Sequence, residues 1–378
     1  MDHAASPPPG SRTVGWARFT VEVREGRALV DDLADDLDDL HRAAAAPVTA
    51  RVPWLRAWVH AYQPSAPWAV LVRDVDSGRL EAAGLLCTVH SGDHDLVVPL
   101  GRRQLDRGAL PARSPQAAAA LGMALAARLA SGRRPWHLRL GQLPAGDPAA
   151  AAVAETLEHA RTVPGVPIPK VELAGVDAPE ASLSTSMRKQ LRKAANRAET
   201  DGLVPVIDFV AGGDAVAGVL DEVEHTHRLR ERDASRVSDL ESSPGLRFWR
   251  SVILDHARQH EAEIATLRLD GHLAAYVVSL LDGSSYRVFD GRFSPAWARY
   301  SPGRLLETAT LRRAAGGARW DEVDWMSGCA SEKLLVANAA DPTEHLVAAS
   351  PGLVLDLDVI GRAPTAGDPR RASDLGTG

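Results

Sequence analysis

Apolar positions along the chain follow two spacings, and each spacing predicts one kind of element. Leu33, Leu37 and Leu40 are separated by three or four residues, as expected for one face of a helix. Val21 and Val23 instead alternate with polar residues, as expected for a strand with one buried face. Both patterns recur through most of the sequence, so the chain is expected to combine helices and strands.

The predicted elements form two successive series with nearly the same order. The first series has strands over residues 17–24, 68–73, 80–89, 95–100, 136–140 and 168–173, and helices over 29–40, 54–62, 115–130 and 148–161. The second series has strands over 204–210, 262–269, 272–281, 285–290, 320–326, 344–349 and 353–359, and helices over 184–201, 214–232, 244–260, 302–315 and 331–339. Asp-Gly turns at 270–271 and 282–283 predict hairpins between strands of the second series. The repeated order predicts an α/β fold of two tandem domains, each with a mixed, mostly antiparallel sheet flanked by helices.

The length of the chain fits this division. A chain of 378 residues suits two domains, and 45% hydrophobic with 24% charged residues is typical of a soluble globular protein. We place the domains at 13–180 and 181–360. The tails, 1–12 and 361–378, are rich in proline, glycine and polar residues and are expected to be disordered.

Charge, cysteine count and the N-terminus exclude several classes of protein. The 49 acidic residues outnumber the 43 basic ones, which argues against a DNA-coating protein. Two cysteines cannot form a disulfide framework, and no histidine pair has a convincing metal-ligand pattern, so no metal is expected. Residues 1–12 lack the features of a signal peptide, and the apolar stretch 117–130 is too short to span a bilayer. A cytoplasmic location is therefore expected.

One predicted helix is strongly basic although the chain is acidic overall. It carries Arg188, Lys189, Arg192, Lys193 and Arg197, including two of the four lysines in the sequence. These charges would suit an anionic partner, such as a phosphate group of a substrate or the backbone of a tRNA. The alternative is a surface helix that pairs with acidic residues such as those near Asp35.

The order of elements and several short segments resemble the GNAT superfamily of acyl-CoA-dependent N-acyltransferases. The resemblance is to a tandem-GNAT subfamily of bacterial type, named for its cellulose-biosynthesis and biotin-operon members and related to the Fem-type peptidoglycan aminoacyltransferases. The segments that carry it are 184–194 and 198–202, His227-Arg228, Phe248-Trp249, 267–271, 274–276, 300–306, 321–328 and Lys333. It covers roughly residues 182–350 and implies two GNAT-like domains, with an acyl donor in the second and an acceptor in a cleft between them.

The segment around Ser301 is the expected donor site. Ser301 and the proline after it suit the start of a helix, and Gly303 would let a ligand approach the backbone. The helix N-terminus would favour a diphosphate, and the resemblance implies that this segment holds coenzyme A. The expected cofactor-binding residues are Arg299, Ser301, Gly303, Arg304 and Leu305.

The resemblance also implies catalytic and substrate-binding residues. Asp290 and Tyr286, on the strand before the donor site, are candidates for positioning or deprotonating an amine, and Lys333 stands where the subfamily has a tyrosine–lysine pair. The expected substrate-binding residues are His227, Arg228, Arg188, Arg192 and Asp324.

The sequence departs from this pattern at one position, because no tyrosine occurs from Cys329 to Leu346. Many GNAT enzymes use a tyrosine there to protonate the leaving thiolate, so this proton must come from Lys333, Ser331, Cys329 or water, or activity is altered.

The leading hypothesis is an N-acyltransferase that moves an acyl group, expected to be acetyl, from acyl-CoA to an amine. The attack would be direct, because no activated cysteine or serine is evident. The acceptor is expected to be a small molecule or an amine like that of a peptidoglycan precursor. Two alternatives remain open: a Fem-like transferase that uses aminoacyl-tRNA, and a catalytically degenerate binding protein with a GNAT fold.

Overall fold

The computed structural model describes residues 14–16, 18–102, 107–174, 185–317, 319–326 and 337–355. Among these residues, no helix is both long enough and apolar enough to cross a membrane. The helices are α1 (Leu29–Asp32), α2 (Ala34–Ala43), α3 (Val52–Tyr62), α4 (Pro115–Ala130), α5 (Pro148–Thr156), α6 (Thr185–Thr200), α7 (Gly213–Asp233), α8 (Ser243–Arg258) and α9 (Pro302–Gly316). The strands are β1 (Val14–Trp16), β2 (Phe19–Glu25), β3 (Ala66–Asp74), β4 (Leu80–Ser91), β5 (His94–Pro99), β6 (Trp136–Pro144), β7 (Ala160–Pro164), β8 (Ile168–Glu172), β9 (Val206–Ala211), β10 (Ala262–Leu269), β11 (His272–Asp282), β12 (Ser285–Phe293), β13 (Glu322–Asp324), β14 (Ala339–Asp341) and β15 (Thr343–Ala349).

The chain divides into two compact units, each built on one sheet. Among the described residues, the first unit contains those up to Val166 together with residues 342–355, and the second contains those within Pro167–Asp341. The first sheet has eight strands in the order β1-β2-β3-β4-β5-β6-β15-β7, and the second has seven in the order β14-β8-β13-β12-β11-β10-β9.

The two sheets have the same sequence of strand pairings. In the first, β2 to β5 pair antiparallel in succession, β5 and β6 run parallel, and β15 then pairs antiparallel with β6. In the second, β9 to β12 pair antiparallel, β12 and β13 run parallel, and β8 pairs antiparallel with β13. The predicted repetition of element order therefore extends to sheet topology, and the α/β class with two mixed, mostly antiparallel sheets is confirmed.

Each sheet takes one strand from the opposite half of the sequence. β8 follows the first series of elements but lies in the second sheet, between β13 and β14. β15 follows the second series but lies in the first sheet, between β6 and β7. The boundary between units therefore differs from the expected one near residue 180, because the units are defined by long-range strand pairing.

Helices cover both faces of each sheet with apolar side chains. In the first unit, α4 buries alanine and leucine side chains against β2, β3 and β4, α5 packs against α4, β7 and β15, and α1 and α2 contact β3 and β4. In the second, α6 and α9 pack with core residues on one face, including Val277 and Tyr286. α7 and α8 bury side chains such as Leu220 and Val252 and contact β9 to β12. Burial of the apolar faces of these helices against the sheets supplies most of the driving force for folding of each unit.

Most predicted elements agree with the structure, and the differences lie at short strands. The predicted helix over 148–161 ends at Thr156, where β7 follows, and β1 and β14 were not predicted. The predicted strand over 320–326 is only three residues long. Residues 353–355 are not in a strand, and both tails and most of the predicted helix over 331–339 lie outside the described residues.

Candidate active site

The parallel strands β12 and β13 separate after a short region of pairing. Their pairing covers Ser285 with Glu322, Tyr286 with Val323 and Arg287 with Asp324, and β12 then continues to Phe293. Residues 285–287 are buried, whereas residues 288–293 are half-buried. Within the described ranges, no strand pairs with this part of β12 on the β13 side. The separation thus leaves polar backbone groups of β12 available to a ligand.

The first turn of α9 lies beside the end of β12. A Cβ atom on Gly303 would lie 3.4 Å from Cδ1 of Phe293, which is an ordinary contact distance. Ser301 has left-handed backbone angles of φ 48° and ψ 48°, and its side chain does not cap the helix. Ser114, before α4 in the first unit, does cap its helix by accepting a hydrogen bond from the N–H of Ala117. The start of α9 therefore has no side-chain cap, and its N–H groups and helix dipole favour an anion.

A β-bulge places Asp290 and Tyr286 on opposite faces of the sheet. The register between β11 and β12 pairs Ser279 with Val288 but Val278 with Asp290, so Phe289 is the extra residue. Without the bulge, two residues four apart in a strand would share a face. Tyr286 instead joins the core beside α6 and α9, while Asp290 faces α7 and α8.

Asp290 lies at the centre of a hydrogen-bond network. Its Oδ2 atom is 3.0 Å from Nδ1 of His227, 2.8 Å from the hydroxyl of Tyr276 and 3.2 Å from Nε1 of Trp249. Its Oδ1 atom is 2.9 Å from a guanidinium nitrogen of Arg292. Burial opposes ionisation, but Arg292 and His227 outweigh it and hold the pKa of Asp290 well below its usual range.

A second carboxylate holds Arg292 in place behind this network. The Nε atom of Arg292 donates to Glu231 at 2.7 Å, and Glu231 also accepts two hydrogen bonds from Arg236. Burial opposes ionisation of Glu231, but the two arginines lower its pKa to about 2. The arrangement fixes an ionised Asp290 between α7 and the sheet.

Tyr286 is part of the hydrophobic core of the second unit. Its side chain is fully buried, its hydroxyl donates to Oε1 of Glu263 at 2.6 Å, and its ring packs edge-on against Trp320. Burial and the neighbouring Glu263 carboxylate raise the pKa of Tyr286 far above its usual value. Since the hydroxyl is engaged on the opposite face from Asp290, the structure does not bring the two predicted catalytic side chains together.

Asp324 also has partners within the fold. It is fully buried, forms an ion pair with Arg287 and accepts a hydrogen bond from the backbone N–H of Met326 at 2.7 Å. Arg287 further donates to Asp282 at 2.6 Å. This ion pair lies at the last paired position of β12 and β13, where it stabilises the point of separation rather than facing an acceptor.

The expected coenzyme A residues surround the start of α9 but differ in how free they are. Arg304 is half-buried and pairs with Glu307 at 2.8 Å, and Leu305 packs against the core. Arg299 pairs with Asp201 at 2.8 Å and lies over the ring of Tyr300. Arg304 is therefore better placed than Arg299 to add positive charge at the first turn.

The remaining predicted substrate-binding residues do not converge with Asp290, apart from His227. Arg228 pairs with Glu224 and donates to the backbone carbonyl of Leu240, so it anchors a neighbouring loop. Arg188 and Arg192 lie on the exposed face of α6, whose apolar face is buried. Lys333 lies outside the described residues, as do Cys329 and Ser331.

The exposed face of α6 carries all five basic side chains of this helix. Arg188, Lys189, Arg192, Lys193 and Arg197 are all exposed. In the part of the chain that the structure describes, no ion pair to Lys189, Arg192 or Lys193 is present. The acidic residues of α1 and α2 pair mainly with arginines of their own unit, such as Asp31 with Arg56.

Three residues of the Asp290 network were missed from the sequence as site residues. Tyr276 and Trp249 were noted only as part of the family resemblance, and Arg292 was not singled out. The Asp290 side chain gathers them from β11, α8 and β12 itself. A polar residue at an apolar position of a strand, as Tyr276 is, was the available signal for a buried polar partner.

A family profile and several solved structures are similar to this chain. Residues 185–333 match the family profile described as an acetyltransferase (GNAT) domain. FemX has a similar structure at 8% identity, with a TM-score of 0.58, covering 82% of this chain and 95% of FemX. The C-terminal domain of a putative lysylphosphatidylglycerol synthetase from Agrobacterium fabrum is 15% identical, with a TM-score of 0.53, covering 84% of this chain and 92% of that domain. L-PGS from Bacillus licheniformis is 13% identical, with a TM-score of 0.52, covering 83% of this chain and 90% of that chain.

These matches cover different parts of the chain. At such low identity the solved structures show a shared fold, and this fold extends over both units. None of the curated proteins matches the sequence. The separated parallel strands and the adjoining helix start both lie within the segment that the family profile matches. Residues 185–333 are therefore similar to a GNAT acetyltransferase domain, and both units share the fold of FemX and of the C-terminal domain of the putative lysylphosphatidylglycerol synthetase.

Proposed function

We propose that this protein is an N-acyltransferase that moves an acyl group, acetyl in the simplest case, from acyl-coenzyme A to an amine. The observation that carries the proposal is the separation of β12 from β13 beside the start of α9. A donor with a diphosphate and a thioester needs an anion site and polar backbone groups nearby, and this region has both.

In the proposed complex, the diphosphate lies at the first turn of α9 and the thioester lies along the open edge of β12. The N–H groups near Gly303, together with Arg304, would neutralise the diphosphate. The backbone N–H groups of β12 that β13 leaves free would stabilise the negative charge that develops on the thioester oxygen.

The reaction requires one deprotonation and one protonation. The neutral amine attacks the thioester carbonyl, a C–N bond forms, the C–S bond breaks, and the thiolate leaves with the electron pair and then takes a proton. Lys333 is the sequence-based candidate for supplying this proton, with water as the alternative. The acceptor would approach from the α7 and α8 face, where the Asp290 network lies.

Calorimetric titration with free coenzyme A tests the donor site. We expect binding by the wild-type protein and loss of binding in Gly303→Trp, whose side chain would fill the space before the first turn. The matched control is Gly316→Trp at the other end of α9, where an added Cβ meets no atom within 4 Å. Absence of binding by the wild type, or equal binding by both variants, would contradict the proposed donor site.

Thiol release from acetyl-CoA in the presence of a panel of primary amines tests the transfer itself. Release that depends on the amine supports an N-acyltransferase. Coenzyme A binding without release by any acyl-CoA and amine pair would favour a degenerate binding protein.

The basic face of α6 supports a second candidate function, transfer of an aminoacyl group from aminoacyl-tRNA. Five exposed basic side chains on one helix are suited to a phosphate backbone, and the fold is shared with FemX and the lysylphosphatidylglycerol synthetases. This candidate predicts tRNA retention on a filter that weakens steeply as salt concentration rises. Charge reversal of Lys189 and Lys193 should abolish that retention while leaving coenzyme A binding unchanged.

A further inference from the structure

Two histidines of the second unit are paired with carboxylates, and they differ in access to solvent. His256 is fully buried, its Nδ1 atom is 3.1 Å from Glu261, and its Nε2 atom is buried with no partner among the described residues. His227 has its Nδ1 atom 3.0 Å from Asp290, and 9% of its side chain is exposed. Its Nε2 atom makes no hydrogen bond within the described ranges and is not among the buried unpartnered atoms. Of these two rings, that of His227 combines a fixed nitrogen with a second nitrogen that solvent reaches.

The partners of His227 determine which ring nitrogen carries the proton when the ring is neutral. Asp290 is ionised and can only accept, and the Tyr276 hydroxyl, 3.0 Å from the same ring nitrogen, donates to Asp290, so Nδ1 of His227 is the donor. Tyr276 stays protonated, because burial and the Asp290 charge raise its pKa well above the usual value, and its hydroxyl donates to the same oxygen. Nε2 therefore has a free lone pair and can accept a proton.

The groups around this ring hold it in one orientation. Asp290 lies against Nδ1, Tyr276 and Trp249 hold the Asp290 oxygen, and Arg292 and Glu231 lie behind it. The carboxylate that orients the His227 ring is therefore itself fixed by three other side chains on three elements of the second unit.

The pair also lies near the place where the donor is proposed to bind. Asp290 is three residues beyond Arg287, the last residue of β12 that pairs with β13, which corresponds to about 10 Å along the strand. Side chains from both faces can reach the edge of a strand whose neighbour has left. An acceptor on the α7 face would thus meet His227 beside the exposed edge of β12.

We propose that His227 is the general base of the transfer reaction and that Asp290 is a positioning residue that orients its ring. The inference rests on the proposed function and changes the roles expected from sequence, which gave catalysis to Asp290 and substrate binding to His227. Nε2 of His227 takes a proton from the ammonium form of the acceptor, and the freed amine forms the C–N bond as the C–S bond breaks. The second proton that the nitrogen must lose passes to the departing thiolate, directly or through water, and the imidazolium releases its proton to water.

Two acceptor probes of different basicity test this role, with acetyl-CoA as donor and thiol release as readout. Lysine amide with its α-amine acetylated, called lysine amide below, has a single amine that is largely an ammonium ion at neutral pH and needs a base, whereas methoxyamine is already neutral. His227→Gln should lower kcat/KM about 100-fold or more with lysine amide and by no more than about threefold with methoxyamine. The matched control is His225→Gln, an exposed histidine on the same helix, which should behave as wild type with both probes.

Failure of the inference and failure of the proposed function give different results. An equal loss with both amines, or no loss with either, would overturn the role of His227 while leaving the transferase intact. If the wild type neither binds coenzyme A nor releases thiol, the proposed function itself fails. Should His227→Gln not fold, Tyr276→Phe replaces it, with the same selective loss for lysine amide at about 3- to 10-fold.

Nuclear magnetic resonance of the histidine rings tests the positioning role of Asp290 without any acceptor. Long-range proton–nitrogen spectra of the wild type should show Nδ1 of His227 protonated and Nε2 unprotonated at the pH at which the ring is neutral. Asp290→Asn should shift His227 toward the other tautomer or a mixture. The His227 inference is wrong if the wild-type ring has its proton on Nε2.

Discussion

The buried His41 ring on α2 predicts a pH dependence for the stability of the first unit. Its side chain is 1% exposed, and neither ring nitrogen has a hydrogen-bond partner among the described residues. Burial, with a smaller effect of the Arg51 charge, lowers the pKa of His41 from 6.5 to about 4. The folded state therefore keeps this ring neutral under conditions where the unfolded chain takes up a proton.

The direction and size of the effect follow from linkage. The pKa of His41 is lower in the folded state than in the unfolded chain. The contribution of the neutral ring to the free energy of unfolding is therefore fully present above pH 6.5 and is lost as the pH falls toward about 4. With those two values, lowering the pH from 7 to 5 costs the folded state about 2 kcal/mol through His41 alone. At still lower pH the loss levels off at about 3 kcal/mol.

The substitution His41→Leu should remove this pH dependence, since leucine fills a similar volume and cannot bind a proton. Amide hydrogen exchange of peptides that cover α1 to α3 gives the local free energy of opening and isolates this unit from the second. We expect the advantage of the variant over wild type to be about 2 kcal/mol larger at pH 5 than at pH 7.

A surface histidine provides the control for this experiment. His60 on α3 has a side chain that is 63% exposed, so His60→Leu should keep the pH dependence of the wild type. The reasoning would be refuted if His41→Leu and wild type lost stability in parallel between pH 7 and pH 5.

Five further substitutions test the stability of the two units, each followed by scanning calorimetry. Asp324→Asn should destabilise the second unit by about 3 to 5 kcal/mol, because it leaves a buried guanidinium with one partner fewer. Gly122→Ala should cost about 1 to 3 kcal/mol, since its Cβ would lie 2.5 Å from the Ala149 carbonyl oxygen, whereas Gly218→Ala, with open space around its Cβ, should stabilise by about 0.5 to 1 kcal/mol. Ser114→Ala should cost about 1 kcal/mol through loss of a helix cap, while Ser301→Ala should cost well under that, because this hydroxyl does not cap α9. A large penalty at Gly218, or equal penalties at the two serines, would contradict these arguments.

Local sequence patterns were sufficient to predict most helices and strands of the fold. The helix over 115–130 and the strand over 262–269 were predicted with the bounds that the structure has. Their signals are local: a serine and proline at a helix start, and a mostly apolar segment that ends at an Asp-Gly turn. β7 and β14 are short and largely exposed, so the burial that produces an apolar pattern is missing from them.

The candidate site was predicted in part, and the limits have a physical cause. Donor-site residues around Gly303 lie together because they are neighbours in sequence at one helix start. His227 and Asp290 are 63 residues apart, and their pairing depends on how α7 packs on the sheet. Tyr286 and Asp290 were both expected to be catalytic because they lie on the strand before the donor site, and the bulge that separates their faces has no signal in that segment alone.

By itself, the sequence determined the α/β class, the two similar series of elements and the helix start at Pro302, since side-chain period and capping residues act over a few positions. Tertiary structure alone decided the exchange of β8 and β15 between the sheets, because strand partners are chosen by long-range hydrogen bonding and burial. It also decided, through the bulge at Phe289, that Asp290 faces His227 while Tyr286 enters the core. A bulge arises from the pairing of two strands, so the pattern of either strand alone does not encode which face a later residue takes.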